Sequence, residues 1–198
     1  DKARNVADIF FVDMNNGWAV AKPHPIVART SDGGLTWSSS ELETSFGIYT
    51  HDLNAIHFAD TKNGWLAGNF GQLLRTTDGG ATWQKLTKVV EELIGGGRFS
   101  PLNVVQFLDD QTGWVLDPYP HLGILRTTDG GTNWKRHSIS NNGVTNKIGP
   151  DHAWAMNFAD PNNGWVLGGR RCQGVGCQCC GVWRTTNGGL SWTYVTPA

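Results

Sequence analysis

Charged side chains are scarce in this sequence. Asp, Glu, Lys and Arg make up 17% of 198 residues, and the net charge is −1. That balance leaves no basic footprint for a nucleic acid or an anionic membrane surface. No apolar run approaches the roughly 18 residues that a membrane-spanning helix requires. Glutamate is limited to Glu41, Glu43, Glu91 and Glu92, all in stretches that connect larger patterns. No acid and nucleophile pair of the glycosidase kind is recognisable among the carboxylates. The six histidines show no metal-ligand spacing, and no phosphate-binding loop, nucleophile elbow or dinucleotide fingerprint is present. Helical periodicity is nowhere convincing, although residues 88–94 could form one turn in a connector. These gaps argue against catalytic residues, a cofactor, a metal, a nucleic-acid partner or a membrane span.

Tryptophan, in contrast, is abundant, with 10 residues. Eight of them occupy two fixed places in a pattern written four times. One place is the Gly-Trp pair at Gly17-Trp18, Gly64-Trp65, Gly113-Trp114 and Gly164-Trp165, so the period is 47 to 51 residues. The other is Trp37, Trp83, Trp134 and Trp192. A period of this size marks a propeller or a related array. Each copy opens with an apolar strand (VADIFFVD, LNAIHFAD, LNVVQFLD, AWAMNFAD) and a turn rich in Asp, Asn and Gly. In that turn Gly17, Gly64, Gly113 and Gly164 can take positive φ at little cost. A second strand follows at the Gly-Trp, then a third (IVART, QLLRTT, GILRTT, GVWRTT) and a turn on SDGG, TDGG or TNGG that leads to a fourth. Four short strands with turn signals between them describe one propeller blade. The expected fold is all-β: a β-propeller of four-stranded antiparallel blades, four of them in this chain. The whole of 1–198 forms one propeller or partial propeller domain, with blades at about 6–40, 52–88, 101–139 and 152–196.

The second turn has the form [Ser/Thr]-x-Asp-x-Gly-x-x-Trp. It runs over Thr30 to Trp37, Thr77-Asp78 to Trp83, Thr128-Asp129 to Trp134 and Thr185 to Trp192. This resembles the Asp-box of bacterial neuraminidase repeats. Joined to the upstream Phe-x-Asp-x-x-x-Gly-Trp, it is most similar to the photosystem II assembly and stability factor-like branch of that family, over nearly the whole chain. The resemblance implies a propeller in which Asp32, Asp78, Asp129, Asn187 and Trp37, Trp83, Trp134, Trp192 are structural turn residues away from any active site. It fixes activity poorly, because the repeat also occurs in sialidases, xyloglucan-cleaving enzymes and sorting receptors. Asn187 departs from the pattern; Asn still bonds its own backbone, so the turn should survive.

Several constellations admit two readings. The repeated carboxylates could offer oxygen to calcium, but one Asp per turn is too few for a hard-cation cage, and Asx-turns account for them better. Arg29, Arg75, Arg126 and Arg184 recur just before each Asp-box. They could form an anion-binding ring, or they could be register residues lying on a Trp face or pairing with a turn carboxylate. The repeat Trp residues could stack on sugars, but a large aromatic at a fixed strand position suits a wedge between blades. Cys172, Cys177, Cys179 and Cys180 lie in the one insertion. From strand-two Trp to strand-three Arg takes 11, 10 and 12 residues in the first three copies and 19 in the fourth. The C-x4-C-x-C-C spacing does not match common zinc pairs. Two disulfides in an exported protein fit best, with zinc and reduced thiols as the alternatives.

Strand parity places any binding site. The first and third turns of each blade share one face, which carries the repeated motifs. The strand two-to-three loops and the blade connectors share the other, and these differ from copy to copy. That face carries His24, Phe70, Tyr119, His121, Arg170 and Arg171, and loops on a rigid scaffold are where binding normally lives. Four blades raise the question of closure: a tight four-blade ring, completion by other chains, or excision from a longer propeller. The first functional expectation is a non-catalytic exported binding or scaffold module that holds a protein partner or another subunit. The Asp1 start fits a mature chain whose leader has been removed, or an excised domain. The alternatives are a glycan-binding or sialidase-like propeller, with Tyr119, His121, Trp154 and Trp183 as sugar platforms, and a self-assembling extracellular subunit.

Overall fold

Each copy of the repeat becomes one antiparallel four-stranded sheet. A computed structural model describes residues 5–22, 25–42, 52–86, 101–117, 123–139, 152–169 and 181–195. Blade one comprises β1 (Asn5–Phe11), β2 (Gly17–Lys22), β3 (Ile26–Thr30) and β4 (Ser38–Glu41). Blade two comprises β5 (Leu53–Phe58), β6 (Gly64–Gly68), β7 (Leu73–Thr76) and β8 (Gln84–Lys85). Blade three holds β9 (Val105–Phe107), β10 (Gly113–Asp117), β11 (Gly123–Thr127) and β12 (Lys135–Ser138). Blade four holds β13 (His152–Phe158), β14 (Gly164–Gly169), β15 (Gly181–Thr185) and β16 (Thr193–Val195). Within every blade the strands are paired in sequence order. The connector stretch 88–94, read as a candidate helical turn, lies outside the described residues.

Local chemistry sets the two turns. In the Asp-box of blade one, Thr30 Oγ1 donates to Asp32 Oδ1 at 2.8 Å and accepts from Gly34 N at 2.9 Å. Asp32 in turn accepts from Thr36 N and Oγ1. The two Gly residues of each Asp-box have φ between about 71° and 97°, the left-handed region that a side chain disfavours. Asn187 keeps the turn: its Oδ1 accepts from Thr185 Oγ1 and Ser191 N, and its Nδ2 donates to Ser191 Oγ. In the first turn Asp13, Asp60, Asp109 and Asp160 each accept from backbone N–H groups two and three residues on. The two turns of a blade touch, as Gly33 N donates to Asn15 O and Gly79 N to Lys62 O. Parity therefore holds, with both turns on one face.

The Gly-Trp glycines have a different reason from the one expected. None of Gly17, Gly64, Gly113 and Gly164 has positive φ. A Cβ on Gly64 would lie 2.5 Å from the Phe58 ring, and each of the others faces its own strand-one Phe in the same way. These glycines leave room for an aromatic ring laid across the strand.

That ring belongs to the layer between blades. Trp18, Trp65 and Trp114 are fully buried and stack flat on Phe58, Phe107 and Phe158 of the following blade, with centroids 3.6, 3.5 and 3.8 Å apart. Their indole N–H groups donate to the carbonyls of Gly79, Gly130 and Gly188 in the following Asp-box. Arg29, Arg75 and Arg126 lie over the same Trp rings. Arg75 and Arg126 reach the Asp110 and Pro161 carbonyls of the next blade. Side chains of the innermost strands complete the layer. Asp8 accepts from Ile56 N, His57 from Phe107 N, and Gln106 bonds both N and O of Phe158. The core falls into one apolar cluster for each of these layers. Arg29, Arg75 and Arg126 are thus committed to packing between blades and not to an anion-binding ring.

Candidate functional site

The innermost strands shape a concavity at the centre of the array. β1, β5 and β13 each carry a bulge, between Val6 and Asp8, Leu53 and Ala55, and Ala153 and Ala155. A bulge leaves its extra residue outside the ladder and re-aims its side chain. The residues so released are Ala7, Asn54 and Trp154. All three line an open central pocket of about 320 Å³, together with Asp8, Asn103 and Met156. These positions lie in the first half of each innermost strand, away from the Gly-Trp turn that follows it. The pocket therefore belongs to the end of the propeller that carries the variable loops.

Its chemistry is mixed. Trp154 is 49% exposed and offers a broad aromatic face. Asp8 is the one carboxylate among the described lining residues. Partial burial raises its pKa above the ordinary carboxylate value, against the lowering effect of N–H donors from Ile56 and Ile9. Asn54 Nδ2 is held by Asn69 Oδ1 and Leu102 O, so this amide is a fixed part of the wall. Among the described residues no group of three or more His, Cys, Asp or Glu could hold a metal ion.

Of the expected loop-site residues only Phe70 is among the described residues, and it is not one of those that line the pocket. Asn69, which anchors Asn54, opens a single 3-10 turn (Asn69–Gly71) between β6 and β7. Its middle residue, Phe70, adopts φ 61° and ψ 30°, a left-handed conformation that is uncommon for an aromatic residue. His24, Tyr119, His121, Arg170, Arg171 and the four Cys lie outside the described residues. Of the proposed sugar platforms, Trp154 lines the pocket, but Trp183 is buried against Tyr194 in blade four. Asp8, Asn54 and Asn103 are absent from the sequence-based site. Their signal was the variation from copy to copy at the start of an otherwise repetitive strand.

Comparison with known proteins agrees with this architecture. The family model for the photosynthesis system II assembly factor YCF48 matches residues 1–96 and again residues 47–150. The photosystem II assembly lipoprotein Ycf48 of Synechococcus sp. (strain CC9902) is 31% identical over 86 residues, covering 41% of this chain and 24% of that protein. The chloroplastic photosystem II stability/assembly factor HCF136 of Oryza sativa subsp. japonica is 30% identical over 107 residues, covering 54% and 22%. The chain thus spans about a quarter of the length of these curated relatives. A solved YCF48 bound to a D1 peptide superposes with a TM-score of 0.56 at 18% identity, covering 96% of this chain and 81% of that one. The GH74 xyloglucanase of Xanthomonas campestris superposes at 0.70 and 15% identity, covering 98% and 31%. These superpositions speak for the propeller fold. By its repeat and by the match of the family model, the chain belongs to the photosynthesis system II assembly factor YCF48 family.

Proposed function

We propose that this chain is a non-catalytic binding module that holds an extended segment of a protein partner across the central pocket. The observation that supports this most is the set of bulges. Three inner strands spend their irregularity on aiming Ala7, Asn54 and Trp154 into one concavity. An aromatic face beside a fixed amide and a carboxylate suits a peptide, which offers both side chains and backbone polar groups. The family points to assembly of a photosystem II-type complex, and a relative holds a D1 peptide. His24, Phe70, Tyr119, His121, Arg170 and Arg171 are proposed as the rim around the pocket. A module of this kind would work in an exported or lumenal setting, as the lipoprotein relative and the oxidised reading of the Cys loop suggest.

Titration of the 198-residue chain with a synthetic D1 peptide, followed by calorimetry, tests the reading. Saturable binding that Trp154→Ala weakens at least tenfold supports it. Absence of binding, or binding indifferent to Trp154, Asp8 and Asn54, counts against it. A glycan reading keeps one observation in its favour, the half-exposed Trp154 beside Asp8. Xyloglucan oligosaccharides and sialyl glycans in the same titration decide it, with hydrolysis assayed alongside. A lone carboxylate in the described wall is short of the pair that glycoside hydrolysis normally uses.

A further inference from the structure

Two tiers of equivalent strand positions line the central pocket, and departures from the repeat collect in them. Aligned on the strand-one Phe, the first tier reads Ala7, Asn54, Asn103 and Trp154. The second reads Asp8, Ala55, Val104 and Ala155. A carboxylate thus enters an otherwise apolar tier, and an indole enters a tier of small and amide side chains. The repeat requires neither, because three copies build the same strand without it.

Asp8 is held at both oxygens. Oδ1 accepts from Ile9 N and Oδ2 from Ile56 N of the next blade, each at 2.9 Å. Each oxygen keeps a lone pair beyond these bonds. Among the described residues no Lys, Arg or His pairs with this carboxylate. Burial raises its pKa in spite of the two donors, so its lost hydration is not fully replaced. Asn54 also offers an acceptor. Both hydrogens of its amide are engaged by Asn69 Oδ1 and Leu102 O, which leaves Oδ1 as the polar atom open to a ligand. Trp154 adds the electron-rich face of a half-exposed indole. Ala55, Val105 and Met156 are buried and give the pocket an apolar floor.

We infer that the pocket takes a cationic side chain of the bound segment, a lysine or an arginine, with its charged head on Asp8 and Asn54 Oδ1 and its stem along Val105 and Met156. The inference rests on the peptide-binding role proposed above and adds the residue class that the segment must carry. The site presents a negative charge, a free acceptor and a π face, and its described lining has no Lys, Arg or His to receive an anion. One carboxylate is too few for a hard metal ion, so the cation that fits brings its own hydrogen-bond donors. Lysine and arginine do so, and their methylene stems lie readily on apolar surface.

Four blocked pentapeptides read the outcome: acetyl-Ala-Ala-Xaa-Ala-Ala-amide with Lys, Arg, norleucine or Glu at the centre. Each is titrated into the 198-residue chain to about 10 mM and followed by NMR shifts. The Lys and Arg peptides should bind at least about tenfold tighter than the norleucine and Glu peptides. Asp8→Asn keeps an oxygen for Ile56 N and should bring Lys and Arg to within about twofold of norleucine. Thermal melts confirm that the variant is folded. The unaltered chain gives a second measurement: added salt should weaken the Lys peptide and leave norleucine unchanged. Equal binding of Lys and norleucine, or a preference for Glu, overturns the inference and leaves the peptide-binding role standing. A cation preference that survives Asp8→Asn also overturns it, because the charge is then read elsewhere on the chain. Should none of the four bind, the inference falls, and the D1 titration judges the peptide-binding role separately.

Discussion

The indole of Trp65 lies flat on the ring of Phe107, with centroids 3.5 Å apart and planes within 4° of parallel. One residue comes from blade two and the other from blade three, so this stack is the joint between consecutive repeats. The same joint recurs at Trp18 with Phe58 and at Trp114 with Phe158. It is sealed by an indole hydrogen bond to a carbonyl that the Asp-box turn holds in place.

Removing that wedge should be costly. Trp114→Ala deletes a fully buried ring and is expected to lower stability by about 3–5 kcal/mol. Trp83 is only partly buried, so Trp83→Ala should cost less. Trp165→Ala, at a ring already 36% exposed, should cost least. Urea melts of the three variants give the order, and equal losses would contradict the layered reading.

Gly64 tests the reason for the Gly-Trp pair. Gly64→Ala places a Cβ 2.5 Å from the Phe58 ring and should cost about 1–3 kcal/mol through overpacking. In the background of Phe58→Leu the same change should cost markedly less. A double-mutant cycle without coupling between the two positions would return the explanation to backbone conformation.

His57 should make stability depend on pH. It is partly buried between blades, where desolvation lowers its pKa from 6.5 to about 4, and it accepts a hydrogen bond from Phe107 N as a neutral ring. Its folded pKa is below its unfolded value, so the unfolded chain takes up the extra proton. The stabilising contribution is complete above pH 6.5 and is lost as pH falls towards 4, by up to about 3 kcal/mol. Asp8, whose pKa is raised, acts in the opposite sense, and it is common to both proteins compared. His57→Gln, which copies the residue at Gln106, should flatten the melting temperature between pH 6.5 and pH 4 relative to wild type. Parallel pH profiles would show that His57 is not the group responsible.

The Asp-boxes should work without a cation. Hydrogen bonds from the Thr82 side chain, the Thr82 backbone and Thr76 hold the Asp78 pKa at about 2, and Asp32 is held alike by Thr36 and Thr30. Both carboxylates thus contribute above their unfolded pKa of 3.8, and the contribution is lost as pH falls towards 2. Asp78→Asn should be mild, since Asn187 fills the same role in blade four, and Asp78→Ala should be worse. Calcium should leave the melting temperature of every form unchanged; a large upward shift would reveal a metal site that the turn geometry does not require.

The Cys loop should be oxidised in the native protein. Intact mass without reductant is expected to fall about four hydrogens short of the reduced value, or to report a covalent dimer if one Cys pairs between chains. Four freely alkylated thiols with no bound zinc would remove the disulfide reading, and with it much of the case for an exported location.

Repetition made the fold legible without coordinates. A Gly-Trp every 47 to 51 residues, each followed by an Asp-box, specifies turns through local chemistry, and local chemistry is what a sequence states directly. The strand order, the sharing of one face by both turns and the structural role of the Asp-boxes follow from that. What tertiary structure decided lies where repeats meet. The strand-one Phe and the strand-two Trp belong to different blades, so only the packed array shows why Gly64 must lack a side chain. The bulges that aim Asn54 and Trp154 inward are register events between strands, and no single strand carries a mark of them. The exposure of each repeated Trp was decided there too. Trp165 shares the Gly-Trp motif of Trp18, Trp65 and Trp114, yet it is 36% exposed where they are fully buried, a difference of packing and not of local sequence.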